Sequence, residues 1–416
     1  MARKLSLAFI ILMLLWGAYG LASGGLNLTG LVFEDSNSNG VLDMGEKPLP
    51  GVVVSDGEAV TTTDANGSYR IQTDMGRIVF VSAPGTHHAP ENKFYTRTES
   101  LAKGKDKLDF PLTLNDDTVD NNEFTFVFVT DTHAAAIRNA PEGIRKAYGE
   151  VEKLNPAFVI HGGDVILDAL KAADEDKVVA QYELYTRQLA PVIKQPFYHT
   201  IGNHDVFGWI GLPNPKRPTK LYGKKAYEKY LGPTHYSFNY KHCHFVVLDS
   251  IGRTKDPVDG STYYGVVDKG QLEWLRKDLS QIKASTPVIL VTHIPTVNAL
   301  GSVYGLRGDV VSTPSGEKAP KHQIANFPEL FGEVLGNHNL KLALAGHYHT
   351  YEAIHWKTNQ ADALLVVGGS ICGEWWKGDR TIGPASWPEG FTVIQVDGEQ
   401  FKPNYVSYGW KGTEEQ

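Results

Sequence analysis

The chain opens on an apolar run over residues 5–16, set behind Arg3 and Lys4 and followed by small residues at Ala18, Gly20 and Ser23. That order predicts a signal peptide over residues 1–23, cleaved after Gly20 or Ser23. The run is short for a membrane span, so a retained anchor is the lesser reading. Over residues 24–116 the pattern becomes short alternating runs at 28–33, 51–55, 68–72 and 77–82, separated by Asp-Gly and Asn-Gly turns. Period-two alternation between such turns predicts a small all-β domain. The polar, acidic stretch 115–122 reads as a linker. From Glu123 onward apolar runs alternate with helical periodicity. The runs lie at 124–130, 157–161, 197–201, 288–292 and 342–345, and the helical stretches at 142–154, 174–190, 269–282 and 322–335. This alternation predicts a layered α/β domain over 123–356. Strand-like runs return at 363–367, 391–396 and 404–408, and residues 357–416 are expected to complete or cap that domain.

Composition narrows the classes. With 416 residues and 42% hydrophobic content the chain can build two or three cores. Its glycines and prolines are dispersed, which excludes a collagenous or wholly disordered protein. The net charge is −7, and losing Arg3 and Lys4 with the leader takes it to −9. A basic face for coating nucleic acid is therefore not expected. No cysteine follows the cleavage region, which argues against a lipoprotein, and no later stretch is apolar enough to span a membrane. Cys243 and Cys372 are too few for a disulfide framework, and the sequence leaves open whether they pair. Fifteen histidines stand against those two cysteines. Metal chemistry here would rest on His, Asp and Asn.

Each of the five central runs ends in residues of metal-ligand type: Asp131-Thr132-His133, Gly163-Asp164, Gly202-Asn203-His204-Asp205, Thr292-His293 and Gly346-His347-Tyr348-His349. In α/β sheets the functional crevice lies beyond the carboxyl ends of the strands, so five such clusters are expected to converge. One cluster alone would say little, since a single histidine after a strand is usually a core or capping residue. The five in this order resemble the calcineurin-like metallophosphoesterase superfamily, over roughly residues 123–370. The resemblance implies a four-layer α/β/β/α sandwich, here preceded by a prealbumin- or immunoglobulin-like β-domain. It implies a two-metal site for Mn, Fe or Zn. Asp131, His133, Asp164 and His349 would hold one ion, and Asn203, His293 and His347 the other, with Asp164 shared. A shared carboxylate can hold two cations about 3.5–4 Å apart for in-line displacement at phosphorus by a metal-bound hydroxide. His204 takes the family's position for the histidine that assists the leaving oxygen, and Asp205 is expected to orient its ring. Purple acid phosphatases carry tyrosine three residues after the shared aspartate; Leu167 stands there, so no tyrosinate–iron chromophore is expected.

Weaker signals flank this region. Residues 35–46 fit a calcium-loop pattern, with Asp35, Asn37, Asn39, Asp43 and Glu46 as oxygen donors and Val41 giving a carbonyl. The loop is similar to those of prealbumin-like modules in bacterial surface proteins; an Asx-rich turn without an ion is the alternative. Trp375 and Trp376 read either as a substrate wall or as filling of a domain seam. Tyr236, Tyr240, His242 and His244 read as structural, and His87 and His88 as solvated. The expected function is a secreted or periplasmic phosphoesterase acting on phosphomonoesters or phosphodiesters. A nucleotide-directed hydrolase of the same superfamily, or a non-catalytic calcium-stabilised surface or adhesion protein, are the rivals. Natural substrate and oligomeric state are not legible.

Overall fold

The computed structural model describes residues 25–101, 104, 106–115, 121–210, 219–254, 262–303, 310–358 and 361–411. The predicted leader and most of the predicted linker fall outside them. Among the described residues no helix is long and apolar enough to cross a membrane.

The N-terminal region forms two four-stranded sheets. One runs Ser68–Thr73, Leu26–Glu34, Phe110–Leu114, His87–His88, and the other Val60–Thr62, Val53–Ser55, Ile78–Ser82, Tyr95–Arg97. Alternation places Leu28, Val32, Val54, Val79, Val81 and Leu112 inside, all fully buried. The Asp56-Gly57 and Asn66-Gly67 turns put each glycine at positive φ. His87 and His88 are not solvated: they pair with Phe110–Leu114, and His87 is buried against the Thr86 hydroxyl at 2.8 Å.

The region from Glu123 onward is two facing sheets. The first has the order Phe197–His199, Val159–His161, Glu123–Val129, Gly390–Asp397, Gln400–Ser407, its first three strands parallel. The second runs Tyr236–Tyr240, Cys243–Val247, Pro287–Val291, Asn339–Ala345, Asp362–Gly368, Tyr351–Lys357. Phe126 and Phe158 of the first sheet meet Phe238 and Phe245 of the second edge to face, with centroids 5.2–5.6 Å apart. Helix Ala140–Lys153 buries Ile144, Ala147, Tyr148 and Val151, a stripe at i, i+3, i+4, i+7. Helices Glu175–Leu184 and Lys269–Leu279 start on Asp174 and Asp268, whose carboxylates accept from Asp176 N and Gln271 N. The architecture is the expected four-layer α/β/β/α sandwich behind an all-β region.

One predicted helix forms only in its second half. Over 322–335 the chain winds only over 327–334, with wide i→i+5 turns over Glu329–Val334, and His322 lies in the loop before it. Pro328 has no N–H to give, so it is tolerated in a helix's first turn and not in its interior, and the winding starts beside it. Cys243 and Cys372 are both free and buried, so they do not pair.

The β-domain docks on the open edge of the second sheet. Asn239 N and Lys241 N donate to Ala83 O and Gly85 O at 3.2 and 2.7 Å. Phe80 meets Tyr236 and Trp274 edge to face, and the Trp274 indole donates to Ser55 Oγ at 3.0 Å. An exposed edge strand is a pairing liability, and this docking covers it. The same seam holds a buried polar chain in which His244 Nε2 meets Asp278 Oδ2 at 2.9 Å. That carboxylate lies 34 residues away along the chain, which is why the strand's own surroundings gave no sign of it.

Candidate metal centre

The loops after five strands meet at one end of the sandwich. Glu123–Val129 delivers Asp131 and His133, Val159–His161 delivers Asp164, and Phe197–His199 delivers Asn203 and His204. From the second sheet, Pro287–Val291 delivers His293 and Asn339–Ala345 delivers His347 and His349. Backbone bonds lock the loops together: Asp131 N to Gly163 O and His133 N to Asp164 O at 3.0 Å, and Gly346 N to His293 O at 3.0 Å. Two glycines permit the approach. A Cβ on Gly202 would lie 2.1 Å from Asp164 N, and one on Gly346 would lie 2.0 Å from Thr130 Oγ1.

Asp164 sits at the middle. Its Oδ2 lies 3.2 Å from His293 Nε2 and 3.8 Å from His133 Nε2, while Oδ1 accepts from His204 N at 2.8 Å. On one side, His133 Nε2 and His349 Nε2 are 3.1 Å apart, and Asp131 Oδ1 is 3.4 Å from His349 Nε2. On the other, His293 Nε2 lies 3.1 Å from Asn203 Oδ1 and 3.2 Å from His347 Nδ1. All seven candidate ligands are thus brought together. Asp131 with His133 and Asp164, and Asp164 with His293 and His347, each group ligand atoms within 4.8 Å. Five of the seven, Asp131, His133, Asp164, His347 and His349, hold positive φ, a conformation costing about 1–3 kcal/mol each when no glycine relieves it.

The electrostatics suit cations. Burial drops His133 to about 3, leaving a neutral ring. Burial also opposes charge on His293, yet Asp164 and Asp131 lift it to about 9. Burial works against ionising Asp164, but His293 and His204 hold it well below the usual carboxylate range. Protons on such imidazoles would be displaced when cations bind, because a ligand histidine must be neutral. Two carboxylates, four imidazoles and an amide oxygen, with little water reaching them, fit two hard-to-borderline cations.

One family model, calcineurin-like phosphoesterase, matches residues 124–351, and a second, the N-terminal domain of calcineurin-like phosphoesterase, matches 36–115. The chain belongs to the calcineurin-like phosphoesterase family. No curated protein matches it. Among solved structures, a dimetal phosphatase from zebrafish (Danio rerio) is 16% identical with a TM-score of 0.42, covering 70% of this chain and 100% of that one. A purple acid phosphatase from yellow lupin seeds (Lupinus luteus) is 13% identical with a TM-score of 0.47, covering 92% of this chain and 67% of that one.

Within this calcineurin-like phosphoesterase two expectations change. Asp205 does not face the His204 ring. Its carboxylate accepts from Gly202 N, Val165 N and Ile166 N at 2.8, 2.9 and 3.2 Å, tying the Asn203 loop to the Asp164 loop. Burial and Asp164 push Asp205 up to about 7 against the pull of those amides. The carboxylate facing His204 is Asp168, whose Oδ1 is 3.5 Å from Nδ1. The tryptophans also divide. Trp376 is fully buried, its indole donating to Thr132 O and His133 O at 3.2 and 3.3 Å, so it fills the seam. Trp375 is half-buried with its ring 4.2 Å from His133, 5.1 Å from His204 and 5.2 Å from His349. Leu167 gives no side-chain donor; its carbonyl faces His133 Nδ1 at 3.2 Å.

The 35–46 loop closes on its own amides. Asp35 accepts from Asn39 N and Gly40 N, Glu46 from Ser36 N and Asp43 N, and Asp43 Oδ2 from the Asn37 and Asn39 amide groups. Val41 N donates to Asn39 Oδ1 at 2.8 Å. Asp35, Asp43 and Glu46 do not bring their oxygens together in the way the central cluster does among the described residues.

Proposed function

We propose that this chain is an exported hydrolase of phosphate esters working with two cations. Asp131, His133, Asp164 and His349 would hold one, and Asp164, Asn203, His293 and His347 the other. The observation carrying this reading is Asp164 Oδ2, which faces a histidine of each set within 4 Å. When bound, the cations would supply Lewis acidity at the phosphoryl oxygens and a water acidic enough to attack at neutral pH. The chain's own residues provide the rest. Gly202, Gly346 and the Asp205 carboxylate fix the loops. His204 lies beside Asp168, which favours a proton on its ring, and is placed to give that proton to the leaving oxygen. Trp375 presents an aromatic face next to His204, and this favours a nucleotide or other aromatic ester as the second reading.

Purified protein loaded with Mn, Fe or Zn should hydrolyse an aryl phosphate and lose that activity on chelation. A panel of sugar phosphates, nucleotides, phospholipid head groups and diesters then separates the substrate classes. No turnover with any metal would leave the non-catalytic surface protein. Export is supported by the basic and then apolar N-terminus, and a mature chain starting at residue 21 or 24 would establish it. An ion in the 35–46 loop is supported by its oxygen-rich spacing.

A further inference from the structure

Three of the four site imidazoles are oriented the same way. His133, His293 and His349 turn Nε2 inward and set Nδ1 against the backbone carbonyls of Leu167, Gly162 and Gly373, at 3.2, 2.8 and 2.7 Å. A backbone carbonyl is present whatever side chain the position carries, so these three orientations follow from the loops themselves. His347 is reversed. Its Nδ1 faces inward, 3.2 Å from His293 Nε2, and its Nε2 lies 2.6 Å from Nδ1 of His322.

This contact joins two ring nitrogens, so it can hold one hydrogen. If His347 Nδ1 is to offer its lone pair to a cation, the hydrogen must sit on Nε2, and His322 Nδ1 must be the acceptor. His322 is itself held. Its ring stacks on His347 at 4.9 Å and 29°, its carbonyl accepts from the Tyr348 hydroxyl at 3.1 Å, and Tyr263 borders both rings at 6.1 Å. We propose that His322 is a positioning residue that fixes the tautomer and rotation of His347 and thereby sets the affinity of the Asn203–His293–His347 cation site. The inference rests on the two-cation reading above. It adds that this site alone depends on a side chain for the outer hydrogen bond of one of its histidines. Outer partners of ligand histidines typically contribute 10- to 100-fold in metal affinity.

The test compares wild type with His322→Phe and His322→Asn, each loaded with Mn or Zn and titrated with a competing chelator. Wild type should bind two equivalents. His322→Phe keeps a ring of similar shape without an acceptor, and should hold one equivalent unchanged while the other weakens about 10- to 100-fold. His322→Asn places an amide oxygen near the lost Nδ1 and should return the second affinity close to wild type. Phe binding both equivalents like wild type would overturn the inference, as would equal weakening of both sites or an Asn variant no better than Phe. A wild type that binds fewer than two equivalents would overturn the two-cation reading itself, a separate result.

Discussion

The His204–Asp168 pair makes the most discriminating prediction about the chemistry. Both side chains are mostly buried, at 15% and 25% exposure, with Nδ1 and Oδ1 3.5 Å apart. Burial works against a charged ring, but Asp164 and Asp168 overcome it and raise the His204 pKa above the usual histidine value. Both carboxylates thus favour a proton on the ring. A proton held there matters most when the departing oxygen is a poor, high-pKa alkoxide. Nitrophenolate leaves unaided. His204→Ala should lose on the order of 100- to 10,000-fold in kcat/KM on an alkyl phosphate and far less on nitrophenyl phosphate, with both metals retained.

Asp168→Asn probes the same step more gently. At an effective dielectric near 20, two unit charges 3.5 Å apart attract by about 5 kcal/mol, an upper limit because solvent reaches both groups. Nδ1 and Oδ1 make a long charged contact and not a full hydrogen bond, so its net contribution is a fraction of that limit, and part of it is lost anyway as the proton leaves the ring. A residual effect of about 1.4 kcal/mol is a tenfold loss on the alkyl ester. The pH profile gives a second readout. Removing the carboxylate lowers the folded His204 pKa, so the protonated ring is lost earlier as pH rises, and the alkaline limb should move to lower pH. An equal loss on both esters would refute the proton-donor role, and loss of a metal would refute the ligand assignment.

Three further outcomes follow from the geometry. Asp164→Ala should remove both cations, because the two histidine sets share that carboxylate; elemental analysis still finding two equivalents would refute the sharing. Trp376→Ala should lower stability by about 3–5 kcal/mol, read as a fall in Tm, whereas Trp375→Ala should leave Tm nearly unchanged and raise KM for aromatic esters; matching behaviour of the two would erase the distinction between seam and wall. Millimolar calcium should raise the Tm of the full chain if the 35–46 loop binds an ion. The Asp43→Ala variant should lose that shift, and no shift in wild type would leave an Asx-rich turn.

What could be read from the sequence here is what is local. A strand's carboxyl end and the ligand-type residues beyond it lie within a few positions of each other, so the five clusters that hold all seven candidate ligands were visible before any fold was known, and the family resemblance singled out the seven. Asp168 and His322 were not. Asp168 finds His204 across 36 positions of chain, and His322 was hidden in a stretch of helical spacing that winds only from Phe327 onward. Asp205 was misread for the converse reason: adjacency to His204 suggested a partnership, while its backbone directs the carboxylate onto three amides of other loops. The two tryptophans look alike as neighbours, and only the close approach of Gly143 to Trp376 shows which one the first catalytic helix packs against.

The backbone strain at the ligands is the least legible feature and explains why the rest must be so tightly built. Glycine is the usual sequence sign of positive φ, and here Gly163 supplies it at one position while five ligands adopt it without that relief. At about 1–3 kcal/mol each, these conformations persist only if the surroundings over-determine them. The backbone ladder from Asp131 to Ala134, the Asp205 clamp and the β-domain docked on the second sheet are the restraints available. The last of these lies at the sheet's far edge. It holds the Tyr236–Tyr240 strand, which is separated from the strand leading to His293 by Cys243–Val247 alone.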